Sequence, residues 1–346
     1  MKPKILITTF AGLLLCSLQN SDACSRITYV GPDQMVAMGR TMDWVEDIKT
    51  DLWAFPAGIK RSGNESDPKS LAWTAKYGSI VASGYNIGST DGINSERLCA
   101  NLLYLSTASY GQPKPDRKNL SILIWAQYFL DNYATVDEAV KDFSKDSVNI
   151  IANTLPNGSH ATVHLAIADR SGDNAIFEYV DGKLVVHHNK KYNVMTNEPT
   201  YEKQLALDDY WQELKGAFLP GTDKPSDRFV RASYFLNNAK KTSNSEEAIA
   251  VVFSIMRNLS TPMMAETDPA HPNIAATIWR SAADLKNNLY FFENSERPNF
   301  FWVDLKKCDL KKGASIKKLP LQQGQIYAGE VSNKFVPSAS FFVQDK

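Results

Sequence analysis

Four cysteines, Cys16, Cys24, Cys99 and Cys308, carry the thiols of this 346-residue chain, and the setting of Cys24 makes it a candidate nucleophile. Lys2 and Lys4 open the sequence, a mostly apolar run from Ile5 to Leu15 follows, and the polar stretch "SLQNSD" leads to Ser21-Asp22-Ala23. That order describes a secretory leader ending in a small-x-small cleavage site, with an apolar run too short to span a bilayer comfortably. Cleavage after Ala23 makes Cys24 the first residue of the mature chain. A buried N-terminal strand is the alternative. Lipoprotein processing fits less well, because Leu15 before Cys16 is bulky and Asp22 interrupts the approach to Cys24.

An N-terminal cysteine holds a nucleophile and a base on one residue. Its α-amine, with an unperturbed pKa of about 8, accepts a proton near neutral pH. The thiol, with an unperturbed pKa of about 8.5, needs only modest help, and no histidine is required. Leader removal takes Cys16 as well and leaves three cysteines, so at least one thiol is free or pairs between chains. Cys24 is the natural free one. Cys99 and Cys308 are either a disulfide or two buried thiols.

Further chemistry lies in "GRTMDW". If Gly31 to Asp33 turn the chain back, Arg40 and Asp43 return beside Cys24. The carboxylate there can hold the amine in position, and the guanidinium can lower the thiol pKa and bind a substrate carboxylate. An Arg/Asp surface pair is the competing reading. Trp44 can supply one apolar wall of a pocket. His160 and His164 share a strand face without a third ligand at metal spacing, His187 and His188 point to opposite faces, and His271 falls in a loop. The first four read as structural or surface residues. No metal and no cofactor is expected.

These groups must be positioned by an α+β framework. "SRITYV", "GPD" and "QMVAMGR" read as a hairpin, and residues 161–168, 175–180 and 183–187 read as three short strands. "IAATIWRSAADLKNNLYFFENS", "FFWVDL" and "ASFFVQ" add strands near the C-terminus. Helical spacing marks "NLSILIWAQYFLDNY", "TVDEAVKDF" with a Thr135/Glu138 capping box, "NEPTYEKQLALDDYWQEL", and "SNSEEAIAVVFSIMRNL" with Ser243 and Glu246 in the same arrangement. Strands cluster and helices cluster, which argues against a doubly wound sheet. Without a linker or repeat, residues 24–346 form a single expected domain. The 38 basic and 38 acidic residues of the full chain balance, so no basic block marks a nucleic-acid partner. No segment after the leader is apolar enough to span a membrane.

Cys24 followed in order by "MGRTMDW", "STDGINSERL", "LLYLSTASY", "NVMTNEPTY", "DKPSDRFVRASYF" and "IWRSAADLKNNLYFFE" resembles the choloylglycine hydrolase and penicillin V acylase family over essentially the whole mature chain. The resemblance implies an N-terminal-nucleophile hydrolase with an αββα four-layer sandwich, two antiparallel sheets between helical layers. It implies cleavage of linear amides in a small-molecule substrate, through an acyl-thioester on Cys24. Arg40 and Asp43 resemble the pair beside the family nucleophile. Asn197 of "MTNEP" resembles the oxyanion-hole asparagine, although a turn or helix cap is an ordinary reading of it. Arg228 resembles the active-site arginine, with Arg231 structural. Tyr104 falls where bile-salt hydrolases carry asparagine and penicillin V acylases carry tyrosine; its N–H would be the second oxyanion donor and its ring would line the pocket. Phenoxyacetyl amides such as penicillin V and long-chain N-acyl homoserine lactones are the implied substrates. A bile-salt hydrolase, or a non-enzymatic exported binding protein of the same fold, is the alternative. The leader is similar to that of exported Gram-negative members and implies the periplasm; the family also implies a homotetramer. One departure is Arg97, which stands where the family stretch "NEKGL" has glycine, so a positive φ there is less comfortable.

Overall fold

The computed structural model describes residues 24–64, 66–214, 216, 218–263, 275–339 and 341. The expected leader and His271 lie outside these residues, as does most of "ASFFVQ", whose described members Ala339 and Phe341 are not in a strand.

Sixteen strands build two large sheets: β1 Ser25–Val30, β2 Val36–Asp43, β3 Leu52–Phe55, β4 Ser79–Gly84, β5 Gly88–Asn94, β6 Cys99–Tyr104, β7 Val163–Ala168, β8 Asn174–Val180, β9 Lys183–His188, β10 Val194–Met195, β11 Thr277–Asp284, β12 Leu289–Asn294, β13 Asn299–Asp304, β14 Lys317–Leu319, β15 Ala328–Glu330 and β16 Val336–Pro337. The first sheet has the order β10-β1-β2-β11-β12-β13-β15, and the second β9-β8-β7-β6-β5-β4-β3-β14-β16. Pairing is antiparallel throughout except at one edge, where β13 and β15 run parallel. The helices are α1 Trp125–Asn132, α2 Val136–Phe143, α3 Tyr201–Glu213, α4 Pro225–Asn238 and α5 Ser245–Leu259. Helices α4 and α5 pack on the outer face of the first sheet, and α1 and α2 cover the second. Residues of both sheets share one buried cluster between them, and a second cluster lies under α1 and α2. This is the expected αββα sandwich.

Strand alternation sorts the hairpin. Arg26 pairs with Arg40 and Thr28 with Met38, and these side chains face the second sheet: Arg26 Nε donates to Asn101 Oδ1 at 3.3 Å and Thr28 Oγ1 to Asn174 Oδ1 at 2.7 Å. The opposite face carries Ile27 and Gly39. A Cβ at Gly39 would sit 2.4 Å from Val252 Cγ1, so glycine lets α5 lie flat on β2.

Several local expectations shift. The stretch 119–133 is helical only from Trp125. Lys118–Ser121 is a short strand, and Ser121 Oγ accepts from Leu123 N at 3.1 Å to start a single tight turn before the helix. Helix α2 starts as expected, with Thr135 Oγ1 accepting from Glu138 N at 3.2 Å. On α5 the cap is one residue later than Ser243: Asn244 Oδ1 accepts from Glu247 N at 3.0 Å. Asparagine caps at least as well as serine, and the chain takes the nearer one. Cys99 and Cys308 are both free thiols.

Candidate active site

The β1–β2 register places Ser25 opposite Thr41, so Cys24, one step earlier, lies beside Met42 with its Sγ 3.9 Å from Met42 Sδ. Cys24 is buried, 2 % exposed. Its nitrogen donates to Asn197 Oδ1 at 2.6 Å, and its thiol lies 3.8 Å from the Asp43 carbonyl oxygen. Strand β10 positions Asn197: Met195 pairs with Arg26, so the residue two further on reaches the start of β1. Asn197 Nδ2 donates to the Tyr104 carbonyl at 2.8 Å, which joins the end of β6 in the second sheet to the nucleophile in the first.

Arg228 sits in the first turn of α4, which opens with Pro225 at its start. Its guanidinium donates to Cys24 O at 2.7 Å, Ser25 Oγ at 2.6 Å and Asn197 Oδ1 at 2.9 Å. The Asn197 oxygen is thus held by two donors, which sets the orientation of the amide. Arg231, one turn on, donates to the carbonyls of Pro220 and Thr222 and serves the loop before the helix.

Arg40 and Asp43 separate across β2. Arg40 points between the sheets, where Nη1 donates to Thr90 O at 2.9 Å and Nη2 to Leu102 O at 2.7 Å. Asp43 shares the other face with Thr41. Its Oδ1 accepts from Thr277 Oγ1 at 2.5 Å and its Oδ2 from Thr41 Oγ1 at 3.4 Å. The Cys24 amide nitrogen donates to Asn197, and Asp43 meets the thiol through its main-chain oxygen, with its charge also acting on the sulfur. Three residues of spacing on a strand puts the two side chains on opposite faces.

Burial pushes the Cys24 thiol above its ordinary value, the Arg40 charge pulls it down, and the Asp43 charge adds to the rise. A thiol shifted in this direction is harder to ionise and needs a base to attack. Burial also pushes Asp43 up to about 7, against the Arg228 charge and the Thr277 and Thr41 hydroxyls.

The thiol opens into an apolar cleft with about 620 Å³ of empty space, part of it open to solvent, lined among others by Met42, Trp44, Tyr85, Tyr104, Leu155 and Val163. Trp44 and Tyr104 meet edge to face, 6.1 Å between centroids at 76°. Trp44 Nε1 donates to Tyr85 OH at 3.0 Å. Tyr85 and Leu155 were not foreseen, since each comes from a turn far away in sequence and neither carries a motif. His164 is buried and bound to Glu178 at 2.9 Å, while His160 is exposed on a separate short strand. Among the described residues, no cluster of ligands suits a metal ion.

Two sheets between helical layers, with a cysteine at the head of an inner strand and its nitrogen in the site, define the N-terminal-nucleophile hydrolase architecture. The model of the linear amide C–N hydrolases, choloylglycine hydrolase family, matches residues 24–318, and the chain belongs to that family. It is a hydrolase of linear amides. Among individual relatives, a penicillin V acylase of Pectobacterium atrosepticum is 43% identical over 92% of this chain and 91% of its own. The structure of penicillin V acylase from Agrobacterium tumefaciens superposes with a TM-score of 0.86 at 46% identity, covering 93% of this chain and 99% of that one. A conjugated bile acid hydrolase from Clostridium perfringens shares the fold, with a TM-score of 0.74 at 20% identity over 87% and 97% of the two chains.

Proposed function

We propose that this protein is an exported acylase of the penicillin V type, with mature Cys24 as nucleophile and its own α-amine as base. The observation that carries the reading is the placement of one residue: the Cys24 nitrogen rests on Asn197 Oδ1 at 2.6 Å while its sulfur faces the apolar cleft. Removal of residues 1–23 in the periplasm turns that nitrogen into a titratable amine. The amine takes the thiol proton as sulfur attacks the amide carbon. Asn197 Nδ2, which has a second hydrogen beyond the one given to Tyr104, donates to the oxygen that gains charge. The Tyr104 N–H is the second donor. By strand alternation it lies on the same edge of β6 as the Tyr104 carbonyl that Asn197 holds, while Leu105 N donates the other way to Thr162 O. The C–N bond then breaks, and the leaving amine takes the proton back from the α-ammonium. Water, activated by the same amine, cleaves the thioester and releases the acid. Arg228 holds the Cys24 carbonyl still throughout, and Arg40 steadies charge on sulfur.

The cleft favours a flat or flexible acyl group. Trp44 and Tyr104 form an aromatic corner that suits phenoxyacetyl or a fatty chain and crowds a rigid steroid. Penicillin V and long-chain N-acyl homoserine lactones are the proposed substrates. The test is kcat/KM for penicillin V, a long-chain acyl homoserine lactone and glycocholate, on the wild type and on Y104N. The wild type prefers one of the first two, and Y104N loses part of that preference. Because apolar contacts discriminate modestly, about 1–3 kcal/mol per methylene, glycocholate is disfavoured rather than refused. Fastest turnover of glycocholate would reverse the assignment.

A further inference from the structure

Gln204 lies on the first turn of α3, is fully buried, and touches neither the cleft nor Cys24. Its side chain nevertheless grips the backbone on both sides of Asn197. Nε2 donates to Asn197 O at 2.8 Å and to Pro199 O at 2.6 Å. Oε1 accepts from Thr196 N at 3.4 Å, and the Thr196 hydroxyl lies 3.2 Å from the same oxygen. That hydroxyl donates to Pro225 O at 2.9 Å, at the start of the helix that carries Arg228. One amide therefore uses both hydrogens and its oxygen on the three residues that aim Asn197, and through Thr196 it links them to α4. Glutamine is a polar side chain that pays for full burial only when all its groups are matched, as they are here.

We propose that Gln204 is a positioning residue for catalysis: it fixes the 196–199 backbone so that the Asn197 amide meets the developing oxyanion and the Cys24 amine together. The proposal rests on the reading of Asn197 given above. A misplacement of about 1 Å at such a donor costs up to roughly a hundredfold in rate, although substrate binding in the cleft is untouched.

Three variants of the mature protein, assayed on penicillin V, separate the possibilities. Q204M keeps the length of the side chain and removes every hydrogen bond; it lowers kcat by about tenfold or more and leaves KM within about twofold. Q204E keeps the acceptor towards Thr196 but donates to a carbonyl only while protonated. Its kcat relative to wild type therefore falls as pH rises, whereas the Q204M ratio stays flat. N197A is the reference, with a loss of about 10²–10³ in kcat. If N197A is crippled but folded Q204M keeps wild-type kcat, or loses only KM, the inference about Gln204 fails by itself. If N197A is near wild type, the reading of Asn197 has failed. Should Q204M not fold, Q204E decides: a ratio to wild type that does not change with pH overturns the proposal.

Discussion

At the scale of the residue, the proposed nucleophile is a thiol that its surroundings make harder to ionise. Burial raises the Cys24 thiol, and the Arg40 charge only partly offsets this. In the proposed mechanism the thiol depends on its own amine, which cleavage at Ala23 would free. C24A is expected to abolish turnover, and C24S nearly so, because a hydroxyl is a much weaker nucleophile when the base is an amine. An acyl-like electrophile, followed by mass spectrometry, should label Cys24 and spare Cys99, which is fully buried, and Cys308. The same spectrum reports the mature mass. A label on Cys99 or Cys308 with loss of activity, or active protein that retains the leader, would contradict the mechanism.

At the scale of the element, short-range order was legible where one local signal dominated. The β1–β2 hairpin follows from its turn residues and alternating pattern, and Asp33 and Gln34 take the positive φ that the tight turn requires, 52° and 57°. Boundaries shifted where two adjacent residues could do the same job, as with Ser243 and Asn244 before α5. Arg97 shows a cost carried by a turn. It adopts φ 71° between β5 and β6, where a side chain is strained, and its Nη1 recovers only a 3.3 Å bond to Lys286 O. R97G is expected to stabilise the protein by roughly 0.5–1 kcal/mol, the relief of left-handed strain less the entropy glycine adds to the unfolded chain. Urea unfolding measures this, and kcat should not change. A loss of stability would mean that the Arg97 contact outweighs the strain.

For the whole molecule, the two sheets and the helices are joined by buried polar groups as well as by apolar packing. Asp91 accepts from Ser281 and Tyr290 of the opposite sheet, each at 2.5 Å. Glu178 on β8 accepts from His164 at 2.9 Å and receives the Tyr201 N–H at the start of α3 at 3.0 and 3.1 Å. Burial pushes the Glu178 carboxyl up, but these donors and His187 more than offset it and hold it down at about 2. An acid whose folded pKa is depressed adds stability that is present above its unfolded value and is lost as pH falls through the folded one. E178Q is therefore expected to cost roughly 1.5–3 kcal/mol at neutral pH, with the gap to wild type closing as pH falls towards 2. Unfolding midpoints of the two proteins from neutral pH downwards test it; a gap constant with pH would show that the charge is not what matters.

The order of residue types along the chain was enough to propose a nucleophile, because a thiol, an apolar run and a small-x-small pattern are all local. It also carried the α+β class, since periodicity and turn chemistry act within a few residues. Partnership was a different matter. Arg40 and Asp43 are three apart, and strand geometry sends their side chains to opposite faces; both charges still act on the Cys24 thiol, but its nitrogen goes to Asn197, 173 positions away. Gln204 has no motif, and its grip on Asn197 arises from how α3 leaves the loop after β10. Tyr85 and Leu155 complete the cleft from turns that only the folded sheets bring together. Hydrogen bonds and pocket walls depend on distances in space, and between residues this far apart those distances are set by tertiary packing.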